Sequence, residues 1–137
     1  MKKQAALFLM VFFGTTSFLA SCSVATFIVL YNHSGQDLVI VADEKTYQVA
    51  KDSILTLQYP QHAAMSISGD NAVWEYTAMY IQREYAKEYI QRGFLRYEVN
   101  FQVEPNGLIY IVKPEVTRPV REFPPQPPGF PLTPKGP

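Results

Sequence analysis

Few side chains in this sequence are suited to acid–base or nucleophilic chemistry. His33 and His62 are the two histidines of the 137 residues, and Cys22 is the single cysteine. A histidine-dependent hydrolase needs a nucleophile and an orienting carboxylate around the imidazole, and no Gly-x-Ser-x-Gly elbow accompanies either histidine. A metal site would have to join His33, His62 and Asp37 or Asp43, without the His-x-His or His-Glu-x-x-His spacings that hold zinc. Glu75, Glu84, Glu88, Glu98 and Glu104 supply carboxylates for a glycosidase pair, but each falls on the polar side of an expected strand or helix, where solvated charges belong. The seven glycines are scattered, so no loop is built to cradle phosphate. The inventory predicts a non-enzyme, with no catalytic residue, no metal and no cofactor.

Two segments carry recognition chemistry instead. Trp74, Tyr76, Tyr80, Tyr85 and Tyr89 gather five aromatics in sixteen residues. They read either as a stacking platform for sugar rings or a partner, or as a sandwich core with a helix packed onto it. Near the C-terminus stands Phe123-Pro124-Pro125-Gln126-Pro127-Pro128-Gly129-Phe130-Pro131. Phe123, Pro124, Pro125, Pro127, Pro128 and Phe130 would suit a preorganised ligand for an aromatic-lined groove, or a strut toward the cell wall; the other reading is a disordered end.

The elements that must position these residues are short and β-rich. Positions 26–31 hold Thr-Phe-Ile-Val-Leu-Tyr, the turn cluster Asn32 to Asp37 follows, and Leu38-Val39-Ile40-Val41 returns as a hairpin partner. Further segments run over 46–49, 54–59, 65–68 and 72–80; the last places Trp74, Tyr76, Ala78 and Tyr80 on one side. The clearest pattern is Phe94 to Glu104. Leu95, Tyr97, Val99, Phe101 and Val103 alternate with Arg96, Glu98, Asn100, Gln102 and Glu104, which predicts a half-buried antiparallel strand. Pro105-Asn106-Gly107 supplies a turn, and the apolar run Leu108 to Val112 predicts a central strand. Residues 81–92 lack turn signals, repeat Ile81, Tyr85 and Tyr89 at four-residue spacing and end at Gly93, which predicts a short bridging helix. From Pro114 nine of the last 24 residues are proline, so neither helix nor ladder is expected there. The expectation is an all-β, small antiparallel β-sandwich of seven to eight strands over 22–113, with one short helix and a disordered proline-rich tail over 114–137. Such a tail could reach ~75 Å in polyproline II form.

The N-terminus carries its own signal. Met1-Lys2-Lys3 is basic, residues 5–13 are apolar, and small or polar residues precede Leu19-Ala20-Ser21-Cys22. That tetrapeptide resembles the lipobox of bacterial lipoproteins, and the resemblance covers residues 1–22 alone. It implies a signal peptide over 1–21, cleavage between Ser21 and Cys22, a thioether-linked diacylglycerol (with palmitate-type chains) on Cys22, and an acylated amine. Two or three chains, at ~0.8 kcal/mol per buried methylene, anchor stably where one would not. The alternative is an uncleaved membrane helix, since no charged side chain occurs from Gln4 to Asn32. Against it stand five Ser/Thr residues at positions 15–23 and the strand-like character of 26–31. Ser23 at the +2 position implies, in a Gram-negative organism, an outer-membrane lipoprotein facing the periplasm. Asn32-His33-Ser34 matches a glycosylation sequon, but a lipobox protein does not enter the compartment where that sequon is used.

With the single cysteine assigned to lipid, no disulfide is available. Removing Lys2 and Lys3 leaves ten Lys/Arg against twelve Asp/Glu, a net charge of about minus two, which argues against an electrostatic grip on nucleic acid or headgroups. A handful of residues separates Cys22 from a first strand at about Phe27, a reach of at most ~20 Å, so the domain must sit against the bilayer. The sequence therefore predicts a membrane-anchored envelope lipoprotein whose role is to dock another envelope protein. A hydrolase inhibitor or glycan-binding module, using the loops Asn32–Asp37 and Pro60–Ala64 or the tyrosines, is the alternative.

Overall fold

β-branched and aromatic residues fill the strands, and Asn, Gly, Asp and Pro punctuate them, so the chain folds as a series of short extended segments. The structure, a computed structural model, describes residues 24–59, 64–77 and 80–135. Nine strands and one helical turn are present there: β1 (Ala25–Asn32), β2 (Leu38–Ala42), β3 (Lys45–Val49), β4 (Ile54–Gln58), β5 (Met65–Ser68), β6 (Val73–Tyr76), α1 (Ala86–Tyr89), β7 (Ile90–Gly93), β8 (Arg96–Val103) and β9 (Ile109–Val112). One sheet runs β4-β1-β8-β7, with β9 also on β8; the other runs β3-β2-β5-β6. The expected all-β sandwich is what the chain forms.

One pairing departs from a purely antiparallel design. β1 lies parallel to β8 along its whole length, from Ala25↔Arg96 to Asn32↔Val103. β8 is thus the hub of its sheet: its first half pairs β7 and its second half pairs β9, both antiparallel. Ile28 and Leu30 of β1, Ile40 of β2, Ile67 of β5 and Phe101 of β8 meet in one core between the sheets. Alternation of fully buried with less buried positions along β1 and β2 reflects the two-residue period of strands.

The strand expected over 72–80 ends at Tyr76, so Tyr80 does not share its face. β9, expected at the centre of a sheet, has β8 as its one strand partner among the described residues, its other side being taken by the tail. Three more expectations are corrected. The helix foreseen over 81–92 shrinks to Ala86–Tyr89, because Ile90–Gly93 pairs with β8 and the tertiary ladder overrides the helical spacing. Leu95 leaves the strand face assigned to it and sits in the turn between β7 and β8 with φ +56°.

The third correction concerns the tail, which is neither disordered nor extended. It covers the second half of β8 and lies along β9. Val120 and Phe130 are buried, and Phe130 stacks on Phe101 with ring centroids 5.7 Å apart. Asn100 and Gln102, expected to face water, are consequently buried beneath it. The outward side of β8 is polar because it binds the tail: Gln102 Nε2 donates to the Val120 carbonyl at 2.9 Å and Gln102 Oε1 accepts the Val120 N–H at 2.8 Å. One side-chain amide thereby replaces a pair of ladder bonds in a segment where proline removes many of the donors. Gln126 acts likewise, its Oε1 accepting the Ile111 N–H at 2.9 Å. Beyond, Leu132 exchanges both backbone bonds with Ile109, and Lys135 donates to the Glu75 carbonyl at 2.7 Å. Since Ile109 and Glu75 belong to different sheets, the tail straps the sandwich shut along that side.

Candidate functional site

Among the described residues, those with catalytic potential hold structural contacts rather than gather around a reacting centre. Asn32, fully buried at the end of β1, donates through Nδ2 to the carbonyls of Gln36, Val49 and Ala50, while its Oδ1 accepts from the Ser34 amide and hydroxyl. The Asn32 amide of the sequon is therefore the clasp of a loop, not an exposed acceptor for a glycan. Ser34 Oγ lies 2.6 Å from Asn32 Oδ1, so that hydroxyl is directed away from nucleophilic duty. His33 Nδ1 lies 3.1 and 3.2 Å from the two Glu104 oxygens, and its ring stacks on Tyr31. Asp37 accepts from the Lys51 amide at 2.8 Å, and Asp43 is in the β2–β3 turn, at the other end of β2 from Asp37. His62 lies outside the described residues. Among the described residues no three His, Cys, Asp or Glu side chains converge as a metal site would require. Cys22 and the cleavage position at Ser21 also lie outside the described residues.

The aromatic cluster divides. Tyr76 is 2% exposed and Tyr89 is buried; both belong to the core, and Trp74 and Tyr85 pack against it. Tyr76 donates its hydroxyl to the Gly107 carbonyl at 2.5 Å, and burial pushes its pKa up. Burial likewise raises Tyr89, against the lowering pull of Lys113. Tyr80, 72% exposed, is the member that remains at the surface. The core reading of this cluster fits its geometry better than a stacking platform does. In the tail, Phe123 stacks on Tyr110 at 3.8 Å, Phe130 is buried and Pro127 is buried, leaving Pro124, Pro125 and Pro128 exposed. The two phenylalanines that would anchor a polyproline ligand are already engaged within the chain.

An open groove of about 540 Å³ runs over the end of the β3-β2-β5 sheet. Asp37, Leu38, Val39, Gln48, Val49, Ser68 and Asp70 line it; Leu38 and Val49 are themselves buried in the core, and Val39, Gln48 and Ser68 share the outward face of the sheet. The pairings Leu38↔Val49 and Val39↔Ser68 bring these residues together from three strands. Gln36 fixes one side of the groove by accepting the Asp70 amide at 2.9 Å, and glycine at 69 leaves it room, since a Cβ there would stand 2.5 Å from the Gln36 amide carbon. Asn32 ties this loop to the C-terminal end of β1, so the groove lies at the opposite end of the sandwich from Val24. Of these residues the sequence singles out Asp37 and its loop; the rest need the strand order. No protein family model, curated protein or solved structure matches the chain.

The Val24 end is different in character. Parallel pairing of Ala25 with Arg96 sets the β7–β8 turn level with the start of β1, so Val24 and Leu95 each stand one residue before a paired position. Phe94 at the tip is 94% exposed and Leu95 is 48% exposed. A leucine at positive φ costs roughly 1–2 kcal/mol relative to a residue without a Cβ. The turn thus departs from local preference twice, in conformation and in exposure. Arg96 lies over the Phe27 ring at 4.2 Å and pairs with Glu98 at 2.6 Å; Arg92 lies over Tyr97 at 5.7 Å. Sequence reasoning misses this turn because Phe94 and Leu95 extend the alternation of the strand that follows. The signal is Gly93-Phe94-Leu95, a glycine followed by two large apolar residues with no turn former between them.

Proposed function

We propose that the chain is the precursor of a membrane-anchored envelope lipoprotein with a non-enzymatic docking role, holding another envelope protein in its groove. The anchor would be lipidated Cys22, and Ser23 would direct the protein to the outer membrane, facing the periplasm, in a Gram-negative organism. One relation carries this reading: the groove lies at the opposite end of β1 from Val24, the residue two positions after Cys22. β1 begins three residues after Cys22, a span of at most ~11 Å. Its eight residues then rise ~26 Å toward the groove end. A tether this short holds the Val24 end at the lipid and turns the groove outward to meet a partner. The groove's mixed lining, with Val39 beside Gln48 and Ser68, suits a protein segment, and acidic Asp37 and Asp70 favour a basic one.

Photo-crosslinking in the native envelope tests this. A photoreactive residue at Gln48 should give a discrete adduct with one envelope protein, and the same residue at exposed Thr56 on β4 should not. Equal, diffuse labelling from both positions would remove the docking role. The alternative, an inhibitor or glycan-binding module, draws on the same groove, since Gln48, Ser68 and the two aspartates also match sugar hydroxyls; a Gln48 position protected by oligosaccharide rather than by protein would favour it.

A further inference from the structure

We infer that the β7–β8 turn is a second, apolar membrane contact, inserting Phe94 and Leu95 into the bilayer beside the lipidated cysteine. The inference rests on the anchoring reading and adds an orientation to it. A lipid on Cys22 alone would hold the domain near the surface without fixing which way it faces. The parallel register of β1 and β8 supplies the second point. Ala25 pairs with Arg96, so the tip Phe94-Leu95 reaches the same level as Val24, two residues from the acylated position. Val24, Phe94 and Leu95 are exposed apolar side chains at one end of the molecule. In water such a tip has nothing to recommend it: glycine or asparagine would relieve the positive φ at Leu95, and a polar residue would relieve the exposure of Phe94. Against a bilayer the same choice becomes favourable, because the two side chains leave water where the anchor has already brought them.

The surrounding charges fit a shallow, apolar insertion. Arg92 and Arg96 flank the tip, each with its stem or guanidinium against an aromatic ring, and can reach headgroup phosphates while the tip enters the acyl region. Glu98, paired with Arg96 at 2.6 Å, offsets part of that positive charge. The contact should therefore be driven by apolar burial and respond little to salt.

The test uses full-length acylated Phe94→Trp protein reconstituted into phosphatidylcholine vesicles, a fraction of whose acyl chains carry bromine. Trp74, the single native tryptophan, is subtracted with the unmodified protein, and Ile54→Trp, exposed at the groove end, is the control. Insertion predicts a blue shift and at least a twofold loss of the Phe94→Trp signal on bromolipid, maintained in high salt, with the Ile54→Trp signal unquenched. Intact mass of the same sample reads Cys22 independently. Acylated Cys22 with unquenched, water-like emission from the introduced indole at position 94 overturns insertion and leaves the anchor standing. Equal quenching at both positions, or quenching abolished by salt, also overturns it. An unmodified Cys22 overturns the anchor and the insertion together. An unchanged thermal midpoint in Phe94→Trp, expected for so exposed a site, confirms that the fold is intact.

Discussion

β8 ends in a turn on each side, and the two turns follow opposite rules. At the groove end, Pro105-Asn106-Gly107 obeys local chemistry: Gly107 takes φ +80°, Asn106 Oδ1 accepts the Leu108 amide at 3.1 Å, and Gly107 N–H donates to Glu104 at 2.9 Å. Tyr76 and Trp74 clamp it from the other sheet, and the tail straps the strand that follows. At the Val24 end, Phe94-Leu95 has apolar bulk where a turn former belongs, and its tip lies open. A turn whose residues satisfy every local preference is built for stability. One that violates two of them, without compensation from its own chain, is where a function outside the chain is to be sought.

The largest break in this comparison is removal of the strap. Truncation after residue 113 would expose Asn100 and Gln102 and withdraw Val120, Phe130 and Leu132 from the core side; at ~1.5–3 kcal/mol per buried side chain the loss is about 5 kcal/mol. Urea denaturation should find the truncated protein unfolded or nearly so, and a cooperative transition at the full-length midpoint would contradict the strap. Next comes Gly107→Ala. Its Cβ would stand 2.7 Å from Trp74 Nε1 at a positive φ, so a loss of about 3 kcal/mol is expected by the same measurement. Gln102→Ala leaves the Val120 amide and carbonyl without their partner beneath the tail, for about 2 kcal/mol.

A smaller effect appears at high pH. Burial pushes Tyr59 up to about 12 from an ordinary value of 10.0, and raises Tyr76 and Tyr89 as well. The folded state favours the protonated phenol, so this contribution is complete below pH 10 and is lost as pH rises through 12. A denaturation midpoint that falls over that window, and holds steady from neutrality up to it, is the expected result. Smallest, and opposite in sign, is Leu95→Gly, which should stabilise the protein by about 1 kcal/mol because the positive φ is relieved. Stabilisation at the irregular turn and destabilisation at the regular one would sharpen the contrast; a loss at both would blunt it.

The same strand shows how much could be read from sequence. Alternation from Arg96 to Val103, the Pro105 to Gly107 turn and the strand Ile109–Val112 all follow from period and turn chemistry, and the structure has them. What β8 pairs with was not legible. A parallel neighbour 71 positions upstream leaves no local trace, and without it the level of Phe94 relative to Val24 is unknown. The tail misled for a related reason. Proline excludes regular ladders, but Gln102 and Gln126 can bind such a segment through their side-chain amides, and nothing in the local pattern distinguishes a glutamine facing water from one facing a strap. In the candidate site, Asp37 and its loop were visible as a turn cluster, whereas Gln48, Ser68 and Asp70 come together only through the strand order β3-β2-β5.

The proposed orientation toward lipid depends on a single covalent modification, and intact mass spectrometry of the protein purified from the cells that make it reads that modification directly. The expected species begins at Cys22 and carries the added mass of two or three fatty acyl chains with their glycerol. A species that retains Met1 and an unmodified Cys22 thiol would contradict the account at its root.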